Sequence, residues 1–270
     1  MNRQVIKHEY QKIQSEICEK IAAVDGQGDF QKDSWSREGG GGGLTRIFQD
    51  GNVLEKAGVN FSAVEGEVTP AMSKNLNMDA KTFFATGVSI VMHPKNPHVP
   101  IIHMNIRYFE TDTGTYWFGG GIDLTPHYVV PEQASFFHRE VKKVCDRFDP
   151  EWYPLFKKEA DDYFFIPHRN ETRGVGGIFY DHLIEDAKHS KEDIFYFSLE
   201  VGRLFSEVYS QLINENREKA FSEAEKEWQM LRRGRYVEFN LVYDRGTRFG
   251  LVSNGRTESI LMSLPLEARW

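Results

Sequence analysis

The sequence predicts an α+β fold, with one domain over residues 1–270 in which a mainly antiparallel β-sheet is packed by helices. Apolar residues recur at helical spacing near the N-terminus and again in the middle of the chain, whereas other segments alternate with a period of two. Some of the alternating segments are joined by short turns, as in hairpins. We find no internal repeat and no domain linker, so strands grouped between helices indicate a single α+β unit.

Helices are predicted in three parts of the chain. The first spans about residues 3–25 and ends near Gly26. Residues 131–163 are predicted to form two helices, and a proline at position 131 suits a first helical turn. A further helix, in one or two pieces, is predicted for residues 190–232, where Ser190 is followed three residues later by an acid, as in a capping box.

Strands are predicted where polar and apolar residues alternate. Residues 86–93, 101–110 and 115–124 alternate, and the turn TDTG joins the last two segments into a hairpin. The C-terminal part also alternates. We therefore expect a strand over residues 235–244, followed by another strand that turns at Asn254-Gly255.

The composition excludes several function classes. The formal net charge is −7 and the pI about 5.8, which argues against a general nucleic-acid binder. No apolar run approaches the length of a membrane span, and the N-terminus lacks the apolar region of a secretory signal, so we expect a cytoplasmic protein without a transmembrane segment. The two cysteines, Cys18 and Cys145, form no CxxC motif, so iron–sulfur and zinc-ribbon sites are not supported.

The segment FGGGIDLTP places one acid, Asp123, just behind three glycines. The acid either caps a tight turn or faces a bulky ligand pressed against bare backbone. The preceding strand favours a ligand, because its alternation puts His103, Asn105 and Arg107 on one face. Glycines opposite such a face leave a cavity, where an acid and a guanidinium could hold a carboxylate and take a proton. An ordinary solvated sheet face stays open as the alternative.

Arginines recur near glycines in two other segments. Arg173 lies in RGVGG and Arg256 in SNGR. Each alone is typical of a surface ion pair, but together they indicate a ligand with several carboxylates, because arginine pairs with planar anions. The five glycines at 39–43 predict either a flexible surface loop or a segment whose N–H groups approach an anionic ligand.

Four histidines are candidate metal ligands, namely His93, His103, His138 and His168. Their spacing matches neither HxxxH nor HExxH, so hydrogen-bonded structural roles stay open for them. The chain also lacks the GxSxG and GxGxxG motifs. An enzyme of this sequence would therefore use side chains and a reactive substrate.

Long blocks of the sequence resemble the oxygen-dependent coproporphyrinogen III oxidases. These blocks are GGGGGLTRIFQDGNVLEKAGVNFSAVEG, HMNIRYFET, WFGGGIDLTPHY, DDYFFIPHRNETRGVGGIFYD and GRYVEFNLVYDRGTRFGLVSNGRTESILMSLPLEARW. The resemblance runs from about Trp35 to Trp270. It implies a large, flat antiparallel sheet sandwiched between helices, and a homodimer with contacts in a C-terminal segment, about residues 236–270. The oxygen-independent coproporphyrinogen III oxidases, which act on the same substrate, need a CxxxCxxC motif, which this chain lacks.

The resemblance implies aerobic oxidative decarboxylation of the ring A and B propionates of coproporphyrinogen III to vinyl groups, which gives protoporphyrinogen IX in haem biosynthesis. Molecular oxygen is then the co-substrate, with no organic cofactor, and a divalent metal such as manganese is left open. The implied catalytic residues are Asp123, Arg107 and His103, the last as proton donor. The implied substrate contacts are Ser89, Asn105, Ile106, Arg107, Arg173, Asn254, Gly255 and Arg256. The implied metal ligands are His93, His103, His138 and His168.

In this interpretation, glycines 119–121 let the macrocycle approach the sheet, so that Asp123 accepts or orients a pyrrole N–H at its centre. Arg107 holds the reacting carboxylate in line, which supplies orientation. The competing interpretation is a porphyrin or bilin carrier with the same pocket and no turnover. Asp123 discriminates between the two, because a carrier of polycarboxylates gains nothing from an acid at the pocket centre.

Overall fold

An antiparallel sheet forms the centre of the computed structural model, which describes residues 1–76, 79–252 and 255–270. Within these ranges seven strands pair in the order β1-β2-β3-β4-β5-β6-β9, and each neighbouring pair is antiparallel. The strands of this sheet are β1 (Gln31–Ser36), β2 (Gly41–Gln49), β3 (Leu54–Glu67), β4 (Thr82–Pro94), β5 (Ile101–Thr111), β6 (Tyr116–Thr125) and β9 (Gly177–Leu183). Chain neighbours thus lie side by side, except that β9 joins β6 after two intervening helices.

Helices cover both faces of the sheet. They are α1 (Arg3–Asp25), α2 (Pro70–Leu76), α3 (Pro131–Asp146), α4 (Trp152–Tyr163), α5 (Lys191–Asn216), α6 (Glu223–Val242), α7 (Arg245–Val252) and α8 (Thr257–Ile260). Helices α1 and α5 pack together on one face, α3 packs on α5, and α4 packs against β9. Helices α6, α7 and α8 lie over the opposite face, where a two-stranded ribbon of β7 (Phe165–Ile166) and β8 (Glu171–Thr172) also lies near α6. The predicted α+β fold, with a mainly antiparallel sheet between helices, is therefore confirmed.

The main core lies between the sheet and the layer of α1, α3 and α5. Ile102, Met104 and Ile106 of β5 are fully buried there, as the predicted alternation requires. Each such side chain contributes about 1.5–3 kcal/mol of burial free energy. Gly202 of α5 allows close packing, because a Cβ at this position would lie 3.0 Å from Ile13 of α1 and 3.3 Å from Ile106.

The predicted helices of residues 3–25 and 131–163 are confirmed, as is the start of the helix at residue 190. Ser190 and Asp193 form a complete capping box, since the Ser190 hydroxyl accepts from the Asp193 N–H and the Asp193 carboxylate accepts from the Ser190 N–H. In the part of the chain that the structure describes, no helix has the length and apolarity to cross a membrane.

The strand predicted for residues 235–244 is wrong, because this segment continues helix α6. A second capping box, formed by Ser222 and Glu225, starts the helix. Its buried residues Arg233, Tyr236, Val237 and Asn240 recur every three or four positions, a helical period that the short alternating stretch concealed. The next predicted strand is also wrong, since residues 245–252 form α7, and the predicted turn residue Asn254 lies outside the described residues.

The glycine run at 39–43 is part turn and part strand, with Gly39 and Gly40 in the turn that follows β1. Gly41, Gly42 and Gly43 belong to β2, which pairs with β1 on one side and with β3 on the other. A Cβ on Gly43 would lie 2.4 Å from the Phe61 carbonyl oxygen and from the Trp35 ring. Close approach of three strands, rather than mobility, explains these glycines.

Gly121 should be equally intolerant of a side chain. A Cβ there would lie 2.4 Å from the Ile178 carbonyl oxygen of β9, so Gly121→Ala must push two strands apart. We expect it to lower the free energy of unfolding by about 1–3 kcal/mol, measured by urea denaturation. The matched control is Gly39→Ala, where the nearest atoms belong to the flexible Arg37 guanidinium. Equal losses in both variants would contradict this explanation.

Candidate active site

The polar face of β5 lies directly opposite the glycines and the acid of β6. In the strand register His103 pairs with Asp123, Asn105 with Gly121, and Arg107 with Gly119. Asp123 therefore sits within a strand and does not cap a turn. The polar row extends across the sheet, because Asn105 also pairs with Ser89 of β4, which pairs in turn with Asn60 of β3.

A cavity of about 220 Å³ lies between this row and the helices above it. Its floor is formed by the polar and glycine positions of the sheet, among them Asn60, Ser89, His103, Asn105, Arg107 and Gly121. Its roof is formed by Phe164 after α4 and by Asn240, Asp244, Thr247, Ser259 and Ser263 of the C-terminal helices and turn. The predicted cavity over the glycines is thus present, and His103, Arg107 and Arg173 are the residues in its wall that can carry positive charge.

Asp123 lies behind His103. The Asp123 side chain is only 2% exposed, and its Oδ1 accepts a hydrogen bond from His103 Nδ1 at 2.7 Å. One guanidinium nitrogen of Arg173 donates to both carboxylate oxygens at 2.8 Å. Because Nδ1 of His103 is occupied, Nε2 is the ring nitrogen left for a ligand in the cavity. The structure therefore gives Asp123 a contact with His103 instead of the open carboxylate that the sequence suggested.

Arg173 is held in an aromatic cage. Its guanidinium carbon lies 4.3 Å from the Phe164 ring centre, 4.6 Å from that of Tyr236 and 4.7 Å from that of Phe239. Its second terminal nitrogen donates to the Asn240 side-chain oxygen at 2.8 Å. Arg173 was predicted as a substrate contact, and it does reach the cavity wall, but its charge is already neutralised by Asp123.

The ion pair determines the charge state of the acid. Burial alone would raise the pKa of the Asp123 carboxyl, but the adjacent Arg173 and His103 hold this pKa below its ordinary value. Asp123 therefore stays ionised at neutral pH although it is fully enclosed. A buried carboxylate of this kind can orient an imidazole through Nδ1.

Arg107 lies flat on the backbone of β6. A Cβ on Gly119 would be 2.6 Å from its Nε atom, so only glycine leaves room for the guanidinium there. One terminal nitrogen of Arg107 pairs with the Asp181 carboxylate at 2.9 Å, and the other donates to Asn105 Oδ1 at 3.3 Å. Arg107 is about one-third exposed and borders the cavity, so it can present further N–H groups to an anion.

Several predicted substrate contacts lie elsewhere. Ser89 and Asn105 line the cavity as expected, but Ile106 is fully buried on the opposite face of the sheet. Arg256 pairs with Asp33 of β1. Strand β1 lies four strand spacings, roughly 19 Å, from the strand β5 that carries Asn105. Gly255 is likewise not part of the cavity wall, and Asn254 lies outside the described residues.

Sequence reasoning missed the roof of the cavity. Tyr163 donates to the Asp244 carboxylate at 2.7 Å, and this acid also accepts from the Thr247 N–H at the start of α7. Asn240 was missed because its segment was predicted as a strand. For Asn240 the sequence carries two helix signals, namely the capping-box pair Ser222 and Glu225 and the spacing of one helical turn from Tyr236 to Asn240.

The four histidines are not brought together as a metal site. His93 Nε2 bonds to the Ser263 carbonyl oxygen at 2.8 Å, and His138 Nε2 bonds to the Val175 carbonyl oxygen at 2.9 Å. His168 lies on the exposed surface between Glu238 and Tyr243, whereas His103 faces the cavity. Among the described residues, no group of three or more His, Cys, Asp or Glu side chains is arranged to hold a metal. The predicted set therefore does not fit a metal ion in this structure.

The charge of Asp123 should stabilise the fold in a pH-dependent way. Asp123→Asn leaves the buried Arg173 without its counter-ion, so we expect a loss of about 3 kcal/mol in unfolding free energy at pH 7. Because the folded-state pKa lies below the unfolded one, this contribution is present above the ordinary Asp pKa and is lost as the pH falls through the folded value. The loss, measured by urea denaturation, should shrink below pH of about 4. The exposed pair Asp146–Lys142 gives the control, as Asp146→Asn should cost less than about 1 kcal/mol. A pH-independent loss would contradict the ionised pair.

His168 offers a test of the metal hypothesis. Its side chain is 41% exposed and bonds to Glu238 and Tyr243, so His168→Gln should change the turnover that the sequence resemblance implies by less than about threefold. If the four histidines formed one catalytic centre, the variant would lose turnover, and it would also lose bound metal as measured by elemental analysis.

Comparison with known proteins identifies the family. The family model described as coproporphyrinogen III oxidase matches residues 5–270. The chain is 51% identical to the oxygen-dependent coproporphyrinogen-III oxidase of Drosophila melanogaster, over 96% of this chain and 69% of that protein. It is 50% identical to coproporphyrinogen-III oxidase 1, chloroplastic, of Arabidopsis thaliana (95% of this chain, 70% of that protein). Identity is also 50% with the mitochondrial oxygen-dependent enzyme of Homo sapiens, over 95% of this chain and 59% of that protein. The chain therefore belongs to the coproporphyrinogen III oxidase family.

Proposed function

We propose that this protein oxidatively decarboxylates the ring A and B propionates of coproporphyrinogen III, with molecular oxygen as oxidant. Each propionate carboxylate, one O₂ and one proton give a vinyl group, CO₂ and H₂O₂. The propionate supplies both electrons, because it loses CO₂ together with a hydride equivalent from the carbon next to the pyrrole ring while the macrocycle keeps its oxidation level, so this balance needs no organic cofactor. The observation that carries the proposal is a cavity in a chain of this family, with the Asp123-bound His103 beside Arg107.

His103 is the proton donor in this scheme. One proton must be supplied for each carboxylate consumed, and His103 is the cavity histidine whose second ring nitrogen is held by an acid. Asp123 acts through His103: by accepting from Nδ1 it keeps the ring oriented with Nε2 toward the cavity. We propose this role in place of a direct contact between Asp123 and the pyrrole nitrogens, because the Asp123 side chain is only 2% exposed and does not line the cavity.

Arg107 binds the reacting carboxylate. Its guanidinium is fixed by Asp181, by Asn105 and by contact with the backbone at Gly119, so little side-chain entropy is lost when a ligand binds. Asn105 and Ser89 line the same wall and add neutral hydrogen-bonding groups. The arrangement holds the propionate in line with His103, which supplies orientation.

A homodimer through the C-terminal segment is part of the proposal. Large apolar side chains stay exposed along α6 and the tail, namely Trp228, Leu231, Leu241, Val242, Leu266 and Trp270. The tail is fixed against α6, since the Arg269 N–H donates to the Met230 carbonyl oxygen. Exposed apolar surface of this kind is typical of an interface.

A cytoplasmic location also remains a proposal. Cys18 and Cys145 are buried and unpaired, which suits a reducing compartment. The relatives from Arabidopsis and human are described as chloroplastic and mitochondrial.

Oxygen uptake tests the reaction against the alternative of a carrier. Adding coproporphyrinogen III to the protein should consume about one O₂ and release about one CO₂ per vinyl group formed. A carrier would bind the compound without consuming oxygen beyond the protein-free rate.

Substitutions should then separate proton transfer from binding. We expect His103→Gln to lower kcat by about 10²–10⁴-fold and to leave the Kd for coproporphyrin III, measured by fluorescence, nearly unchanged. Asp123→Asn should lower kcat as well, and the double variant should lose no more than His103→Gln alone, because Asp123 acts through His103. Multiplied losses in the double variant would show that Asp123 has an independent role.

A further inference from the structure

The edge strand β9 carries a β-bulge next to Arg107. In its pairing with β6, two residues of β9, Asp181 and His182, face the single residue Gly119. The residues on either side of the bulge, which pack into the core, are Tyr180 and Leu183. Both bulge side chains therefore lie on the cavity face of the sheet. Bulges of this kind re-aim side chains near functional sites.

His182 holds the bulge in place. Its backbone adopts a φ of 52°, in the left-handed region that residues other than glycine seldom enter. Its ring stacks on that of Trp117 with centres 4.7 Å apart and planes 21° from parallel, and its backbone N–H donates to Asp181 Oδ1 at 3.0 Å. The unusual conformation is thus supported by contacts of both the side chain and the backbone, and it fixes the direction of the Asp181 carboxylate.

Asp181 is the counter-ion of Arg107. The Arg107 side chain starts from β5, crosses Gly119 of β6 and reaches β9, where a terminal nitrogen pairs with Asp181 Oδ1 at 2.9 Å. Among the residues that the structure describes, no other carboxylate lies at ion-pair distance from Arg107. Burial alone would raise the pKa of the Asp181 carboxyl, but the Arg107 charge holds this pKa below its ordinary value. The carboxylate is therefore ionised at neutral pH and offsets the charge that a substrate carboxylate would meet.

We propose that Asp181 is a positioning residue, which occupies Arg107 in the empty site and keeps its guanidinium aligned with His103 when the substrate carboxylate binds. The inference rests on the proposed function, because it takes Arg107 to bind the reacting propionate. Asp181 is not among the residues that line the cavity, so it acts through Arg107. It supplies alignment and lowers affinity.

These two effects of Asp181 have opposite signs. Its negative charge offsets that of Arg107 and repels an incoming carboxylate, which weakens binding. Its fixed position also restricts a long side chain that other groups hold only weakly: the hydrogen bond from Arg107 to Asn105 is long, at 3.3 Å, and the Phe179 ring centre lies 6.0 Å from the guanidinium carbon. A residue that merely stabilised the fold would not weaken binding while it raised turnover.

Asp181→Asn tests the inference, because it removes the charge and keeps the shape of the side chain. We expect the Kd for coproporphyrin III, measured by fluorescence titration, to fall about threefold to tenfold. The kcat with coproporphyrinogen III, measured by oxygen uptake, should fall about 10–100-fold, since the guanidinium is no longer aligned. Asp181→Glu, which keeps the charge, should restore the Kd of the unaltered protein and part of its kcat.

Asp161→Asn is the matched control. This acid of α4 pairs with Lys157 at 2.6 Å and does not line the cavity, so its variant should match the unaltered protein in both Kd and kcat. Urea denaturation shows whether each variant is folded under the assay conditions, and Asp181→Ser takes the place of Asp181→Asn if the amide disturbs the bulge.

A double variant shows whether Asp181 acts through Arg107. In the Arg107→Met background, Asp181→Asn should cause no further fall in kcat, and a fall as large as in the unaltered background would overturn the inference. An unchanged or higher Kd in Asp181→Asn, or an unchanged kcat, would overturn it as well. Absence of oxygen uptake by the unaltered protein would instead overturn the proposed reaction, and the Kd comparison would still decide the role of Asp181.

Discussion

The buried ion pair between Asp123 and Arg173 is the interaction on which the site depends. Each partner is about 2% exposed, so burying either charge without the other would carry a large, uncompensated desolvation penalty. The pair also connects three parts of the fold, because Asp123 belongs to β6, Arg173 precedes β9, and Asn240 of α6 accepts from the same guanidinium. The ion pair therefore sets the position of the helical roof relative to the strand that carries His103.

Glycines make the rest of this geometry sterically feasible. Arg107 can lie flat on β6 only because Gly119 has no side chain, and Gly87 of β4 similarly leaves room beside the Arg107 Cβ at 3.2 Å. Gly121 completes the cavity floor opposite Asn105. The strand thus gives up packing and β-propensity at three successive positions, and the polar groups of the neighbouring strand gain space for a ligand.

The sequence allowed prediction of the floor of the site but not of its roof. Alternation in β5 is a local property, so it correctly put His103, Asn105 and Arg107 on one face, and the hairpin turn fixed their register against Asp123. The partner of Asp123 depends on tertiary packing: Arg173 lies 50 residues further along the chain. Its cage residues Tyr236 and Phe239 were assigned to a strand, since a few alternating residues of a helix resemble one.

The polar row of the cavity floor lies on the most extensively paired part of the fold. The groups of this floor lie on paired strands, whose backbones are fixed by neighbours on both sides, and this rigidity suits residues that must align a proton donor with a carboxylate. The end of α4, the β7 ribbon and the start of α7 lie at the surface beside the cavity and include the exposed Phe165. Strand pairing therefore keeps His103, Asn105 and Arg107 aligned with one another independently of these surface segments.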